Sequence, residues 1–146
     1  MKSLHSIVLA SVSAAVIICL GLIIYFATLP GPGSSFSEFY LLNEKGRPYD
    51  YPGQVIAGQP IYVTIGIINH EETATAYTVR IMSGDAIIGS LDTGNVNRGQ
   101  IWEQKTGITI DPEGNNRQIE FYLYITGREK PHIAQPLVLT LNVRQP

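Results

Sequence analysis

From Ile7 to Leu29 the chain runs for 23 residues without a charge, with Ser11, Ser13 and Thr28 as its polar interruptions. Wound as an α-helix at 1.5 Å per residue, this run is roughly 34 Å long, enough to cross a hydrocarbon core of about 30 Å with some tilt. A secretory h-region is shorter, about 7 to 15 residues. The exit residues Tyr25-Phe26-Ala27 and Leu29-Pro30-Gly31 do not place small side chains at the two positions a signal peptidase reads. Nor is Cys19 a lipoprotein cysteine, because Ile18 precedes it and the apolar run continues after it. The expectation is an uncleaved transmembrane helix over 7–29, preceded by a short cytoplasmic N-terminus over 1–6.

Orientation follows from the few charges available. Lys2 and the α-amino group precede the run and no cation follows until Lys45, so the positive-inside tendency puts the C-terminal part outside the cytoplasm. Pro30-Gly31-Pro32-Gly33-Ser34-Ser35 then stops the helix, since proline lacks the N–H and glycine costs helix stability. Residues 30–35 read as a tether, and 36–146 as one extracytoplasmic domain.

With Lys2 set aside, 9 basic residues face 12 acidic ones, and no run has a single sign. That excludes the clustered basic face of a nucleic-acid binder. The one cysteine lies in the apolar run, so no intrachain disulfide forms and the domain relies on its own core.

Beyond the tether, apolar residues recur with a period of two. Ile61 to Asn69 is the clearest strand, with Ile61, Val63, Ile65 and Ile67 on one face. Further strands are expected over Ser37 to Leu42, Tyr77 to Ile81, Ala86 to Leu91, Gln100 to Ile110, Gln118 to Ile125 and Pro136 to Val143. Turn residues separate them: Asn43-Glu44-Lys45-Gly46, Pro52-Gly53, Ala57-Gly58-Gln59-Pro60, Ser83-Gly84-Asp85, Asn97-Arg98-Gly99 and Asp111 to Asn116. About seven short strands at this spacing predict an all-β fold, an immunoglobulin-like antiparallel β-sandwich behind one N-terminal transmembrane helix, with other small sandwich topologies open.

Several strings carry a family resemblance: Phe36-Ser-Glu-Phe-Tyr-Leu-Leu42, Asp50-Tyr51-Pro52, Gly58-Gln59-Pro60, Ile65-Gly66-Ile67-Ile68-Asn69-His70-Glu71 followed by Tyr77, Trp102-Glu103, and Phe121-Tyr-Leu-Tyr124. Over roughly Phe36 to Val143 the chain resembles the extracytoplasmic part of a membrane-protein family called domain of unknown function 1616, found mainly in archaea and some bacteria. Members often carry several transmembrane helices before this domain, where this chain has one. The resemblance implies a membrane-tethered β domain and supplies no reaction.

Four local motifs invite chemical readings. Leu91-Asp92-Thr93-Gly94 is similar to the active-site turn of aspartic proteases, where paired Asp residues share a proton. Here Asn95 follows in place of a small residue and Ile87-Ile88-Gly89 lies before the Asp, so an ordinary β-turn is expected. Asn69-His70-Glu71-Glu72 offers metal-ligand types, yet adjacent strand residues point apart and His132 is the other histidine outside the anchor region. A polar turn is expected there, with Asn69 bonding nearby backbone. Trp102, within a strand, is expected in the core. Tyr49-Asp50-Tyr51-Pro52 is expected in a loop, where Tyr49 and Tyr51 are candidate ligand contacts.

No Ser-His-Asp arrangement, phosphate-binding glycine loop or N-x-Ser/Thr sequon is recognisable. The chain reads as a non-enzyme without cofactor or metal, its partners being the lipid bilayer and other membrane or cell-surface proteins. An accessory or structural subunit is the first reading. A pilin-like filament or surface-layer component is the second, although Lys2-Ser3-Leu4-His5-Ser6 lacks a pilin processing site and the tether breaks the helix. A sugar-binding surface domain is the third. Within the anchor, Ala10, Ala14 and Gly21 fall near one helix face, where small side chains let another helix approach closely.

Overall fold

The computed structural model describes residues 2–28 and 35–146. The chain divides into two compact units, Met1–Gly33 and Ser34–Pro146. In the first, α1 spans Lys2–Thr28. It starts ahead of the uncharged run because Lys2 to Ser6 contains no glycine or proline to stop it. Its described side chains are Val8 and those of residues 12–25, all exposed and apolar in the main. Among the described residues, no helix is long and apolar enough to cross a membrane. Apart from Ser35, the expected tether falls outside the described residues.

The second unit is mostly β. Its strands are β1 (Ser37–Leu42), β2 (Gln54–Ile56), β3 (Pro60–Asn69), β4 (Thr75–Ser83), β5 (Ala86–Val96), β6 (Ile101–Thr109), β7 (Gly114–Ile125) and β8 (Leu137–Arg144). They form a three-stranded sheet in the order β1-β3-β6 and a five-stranded sheet in the order β2-β8-β7-β4-β5. All pairings are antiparallel except the short parallel one of β2 with β8.

Period-two alternation accounts for the core. Val63, Ile65 and Ile67 of β3 meet Tyr77, Val79 and Ile81 of β4, Ile119, Phe121 and Leu123 of β7, and Leu139, Leu141 and Val143 of β8 in one buried cluster. Each strand contributes alternate residues because successive side chains leave the pleat on opposite sides. Trp102 does not belong to the buried set. It is half-buried and packs on the cluster's margin, because β6 is an edge strand whose register sets Trp102 opposite Ile67.

Two further expectations are corrected. The described residues form eight strands, and the additional β2 is three residues long, too short to show a period; Val55 alone of the three is buried. Asp92-Thr93-Gly94 is not a turn but lies inside β5. There Thr93 and Gly94 oppose the single residue Tyr77, since Ala76 pairs with Asn95 and Thr78 with Asp92. Gly94 takes φ 65°. This is a β-bulge, with glycine at the left-handed position. Asp92 accepts a hydrogen bond from the Thr78 hydroxyl at 2.6 Å, a local cross-strand contact.

Candidate functional site

The β1–β3 register sets Ser37 opposite Asn69 and Glu38 opposite Ile68. The Phe36 to Leu42 and Ile65 to Glu71 strings are therefore neighbours in space, and a polar knot forms where they meet. Asn69 is fully buried. Its Nδ2 donates to the carbonyls of Thr73 (3.0 Å) and Val96 (2.7 Å), and its Oδ1 accepts from the Glu71 N–H (2.8 Å) and the Tyr77 hydroxyl (3.0 Å). The expected side-chain-to-backbone role of Asn69 is thus present, and it extends into the core through Tyr77.

The Ser37 hydroxyl lies 2.7 Å from Tyr77 Oη, 3.0 Å from Glu71 Oε1 and 3.1 Å from His132 Nε2. His132 Nε2 is 2.9 Å from the same Glu71 oxygen, and Ser35 donates to the other one. The pieces come from β1, the end of β3, the turn after it, β4 and the β7–β8 connection. The knot thus ties the smaller sheet to the larger. His70 points elsewhere, stacking on Phe36 with ring centroids 4.5 Å apart and pairing with Glu38 at 2.7 Å.

Serine, histidine and a carboxylate together invite comparison with a hydrolase triad, and the geometry differs from one. In a triad the acid holds one imidazole nitrogen so that the other takes the serine proton. Here Ser37 and Glu71 both contact Nε2. Ser37 is also buried and shared with Tyr77 and Glu71. What the arrangement does chemically is hold a carboxylate. Burial by itself would raise the Glu71 carboxyl, but hydrogen bonds from Ser35, Ser37 and His132, with the His132 charge, bring it below the ordinary carboxylate value.

A depressed folded-state pKa stabilises the protein above the unfolded-state value, about 4.3 for glutamate, and that contribution is lost as pH falls through the folded value. Wild type should therefore exceed Glu71→Gln in stability near neutrality, and the gap should narrow steadily in acid below about pH 4. Urea melts of both proteins across that range measure it. A gap that is constant with pH would mean that the carboxylate's charge contributes nothing.

A second constellation is built by the β1–β2 connection. Asn43 is buried; its Oδ1 accepts the N–H groups of Lys45 (2.9 Å) and Arg47 (3.0 Å), and its Nδ2 donates to the carbonyls of Tyr49 (2.7 Å) and Asp50 (3.3 Å). Gly46 (φ 73°) and Asp50 (φ 59°) take left-handed conformations at the loop's bends. Beside this loop and the start of β3 lies a half-open cavity of about 340 Å³.

The sequence candidates sort out unevenly. Tyr51 is half-buried: its hydroxyl donates to the Leu41 carbonyl at 2.6 Å and its ring packs on the core. Tyr49 is 56% exposed and holds the loop only through its carbonyl. Ala14 and Gly21 are exposed on α1, and the side chain of Ala10 lies outside those described. Sequence reasoning missed Ser37 and His132 as partners of Glu71, and Tyr77 as a partner of Asn69 and Ser37, and no local pattern signals a contact between positions 71 and 132.

Outside the knot, the smaller sheet's outer face joins more of the noted strings. The Tyr40 ring crosses Gly66, where an added Cβ would sit 2.1 Å from the ring's Cζ, and its hydroxyl donates to Glu103 at 2.8 Å. Burial first, and then the Glu103 hydrogen bond and charge, push the Tyr40 phenol up to about 12. Residues 30–144, which contain all of these constellations, match the family model described as a domain of unknown function, DUF1616. The chain belongs to the DUF1616 family.

No curated protein matches this DUF1616 chain. Among solved structures it is similar to part of the beta-glucosidase from Listeria innocua in complex with isofagomine, with a TM-score of 0.50 and 10% identity over 75% of this chain. The same enzyme in complex with glucose matches with a TM-score of 0.48 and 14% identity over 77% of this chain. The chain spans 16% and 17% of the length of those two enzyme chains. At such identity the likeness concerns the fold of the DUF1616 β unit alone.

Proposed function

We propose that this DUF1616 protein is a non-catalytic, membrane-anchored β-domain protein serving as an accessory or structural subunit of a membrane or cell-surface assembly. The observation that carries the reading is α1, whose described residues Val12, Val16, Ile17, Leu20, Ile23 and Ile24 are apolar and exposed. A helix apolar on all sides is stable in lipid or against other helices, not in water. The uncharged run of 7–29 supplies the length, and the scarcity of cations after Lys2 favours an extracytoplasmic β unit. Ala10, Ala14 and Gly21 are the proposed helix-contact face.

The finer fold reading is an immunoglobulin-like sandwich. Supporting it, the orders β1-β3-β6 and β2-β8-β7-β4-β5 correspond to strands A-B-E facing A′-G-F-C-C′. The non-catalytic reading draws on the knot, whose serine, histidine and carboxylate are mutually satisfied around one ring nitrogen.

The test uses native cells. The protein should stay in the membrane pellet after alkaline carbonate, and protease added outside spheroplasts should remove the β unit. Recovery in the soluble fraction would end the anchor reading, and protection of the β unit would reverse the topology. Ala14→Leu with Gly21→Leu should leave insertion intact while releasing proteins that co-purify in mild detergent, since leucine stays apolar but keeps helices apart.

A further inference from the structure

We propose that the free edge of β6 pairs antiparallel with β6 of a second copy of this chain, joining the two three-stranded sheets into one. The inference goes beyond the anchor reading and does not depend on it. A strand at a sheet's edge leaves every second backbone N–H and C=O unpaired, and those groups fit one kind of partner, another extended strand. Of the four edge strands, β2 is three residues long, β5 is broken by two register shifts, and β1 carries Glu38 as its one charge. β6 pairs with β3 over nine consecutive residues without a bulge, and its other side meets no strand of the same sheet among the described residues. Gln104 marks that opening. It sits opposite the fully buried Ile65 and so points to the core side of the sheet, yet it is exposed.

The hydrogen bonds locate the free backbone groups. Asn69 donates its N–H to the Gln100 carbonyl. The alternation of an antiparallel ladder then turns the backbone groups of Trp102, Gln104 and Thr106 toward β3 and those of Ile101, Glu103, Lys105 and Gly107 outward. A twofold partner must pair residues of like parity, or its apolar face would turn to solvent. Charge selects among the registers that remain. With Gln104 on the twofold axis, Glu103 of each copy lies opposite Lys105 of the other. A shift of two residues either way sets Glu103 against Glu103 or Lys105 against Lys105, which is destabilising.

Both charges are able to serve a second partner. Glu103 accepts the Tyr40 hydroxyl through Oε1 at 2.8 Å, which leaves Oε2. Lys105 Nζ lies 3.4 Å from Glu44 and 5.1 Å from the Tyr62 ring centroid, and one carboxylate does not use up its three N–H donors. The same register sets Ile101, 58% exposed, opposite Gly107 of the second copy. Gly107 has no side chain to exclude it, and the Tyr62 ring that lies against Gly107 offers it an apolar neighbour. On the core side, Thr106 of the second copy covers the half-buried Trp102. Two Gln104 amides meet on the axis, where each supplies a donor and an acceptor.

The experiment is disulfide trapping of the full chain in mild detergent, with Cys19→Ser so that the introduced thiol is alone. Gln104→Cys places two thiols across a non-hydrogen-bonded pair with Cα atoms about 4.5 Å apart, within the range a disulfide spans. Ile101→Cys, off the axis, sets them about 20 Å apart. Mild oxidation should therefore link the Gln104→Cys chains, and the Ile101→Cys chains at least about tenfold less. Adding Glu103→Lys or Lys105→Glu to Gln104→Cys puts like charges opposite each other and should cut the yield about tenfold. Mixing those two variants should restore it, since every facing pair is then Glu with Lys. Retained near-UV circular dichroism establishes that each variant is folded. Four results would overturn the inference: equal trapping at positions 101 and 104, no trapping at 104 up to about 1 mM protein, charge variants that cross-link alone as well as their parent does, or folded charge variants that stay unlinked when mixed.

Discussion

Asn69→Ala should cost about 3 to 5 kcal/mol of stability, among the largest effects of any polar substitution in the domain. The side chain is fully buried and makes hydrogen bonds to Thr73, Val96, Glu71 and Tyr77. Truncation leaves the Val96 carbonyl and the Tyr77 hydroxyl without these bonds in a region water does not reach, and an orphaned buried group costs about 1 to 3 kcal/mol. Tyr77→Phe removes one hydroxyl from the same knot and should cost less, about 1 to 2 kcal/mol. Urea denaturation gives both values. A loss below about 1 kcal/mol for Asn69→Ala would show that the knot relaxes around the gap or admits water.

Phe121→Ala should cost a comparable 3 to 5 kcal/mol or so by leaving a cavity between the sheets. Phe121 has no exposed surface, and its backbone pairs with Ile81 on one side and Leu137 on the other, so the site cannot collapse from either flank. Ile65→Ala and Leu139→Ala, at buried positions of the smaller and larger sheets, should each cost about 2 to 5 kcal/mol. Trp102→Ala should cost clearly less than Phe121→Ala, because the half-buried indole covers the core's margin. Small domains have about 5 to 15 kcal/mol in all, so Phe121→Ala removes a large fraction of it. Equal losses at Phe121 and Trp102 would place the indole inside the core after all.

Much of the organisation was legible from local pattern. The uncharged run located α1, and alternation located seven of the strands near their observed places, because which residues face inward is set by the period of the backbone itself. Ser83-Gly84-Asp85 was readable as the β4–β5 turn, where Gly84 takes φ 61°. The strings of the DUF1616 resemblance were also readable, though not what they build: Tyr40, Gly66 and Glu103 form one cross-strand stack.

Tertiary structure decided everything that depends on which distant segments become neighbours. That the Tyr51 hydroxyl reaches the Leu41 carbonyl is set by how the β1–β2 loop folds back, and whether Asp92-Thr93-Gly94 turns or bulges is set by the register with β4. His132 reaches Glu71 only because β7 returns beside β4 and places the connection after it over the end of β3. The sequence alone determined an apolar helix-forming run followed by an all-β unit, since periodicity and turn chemistry act over a few residues. The knot, the loop cavity and the marginal place of Trp102 belong to sheet order and register, because side chains far apart in sequence interact only once strand pairing has brought their backbones together.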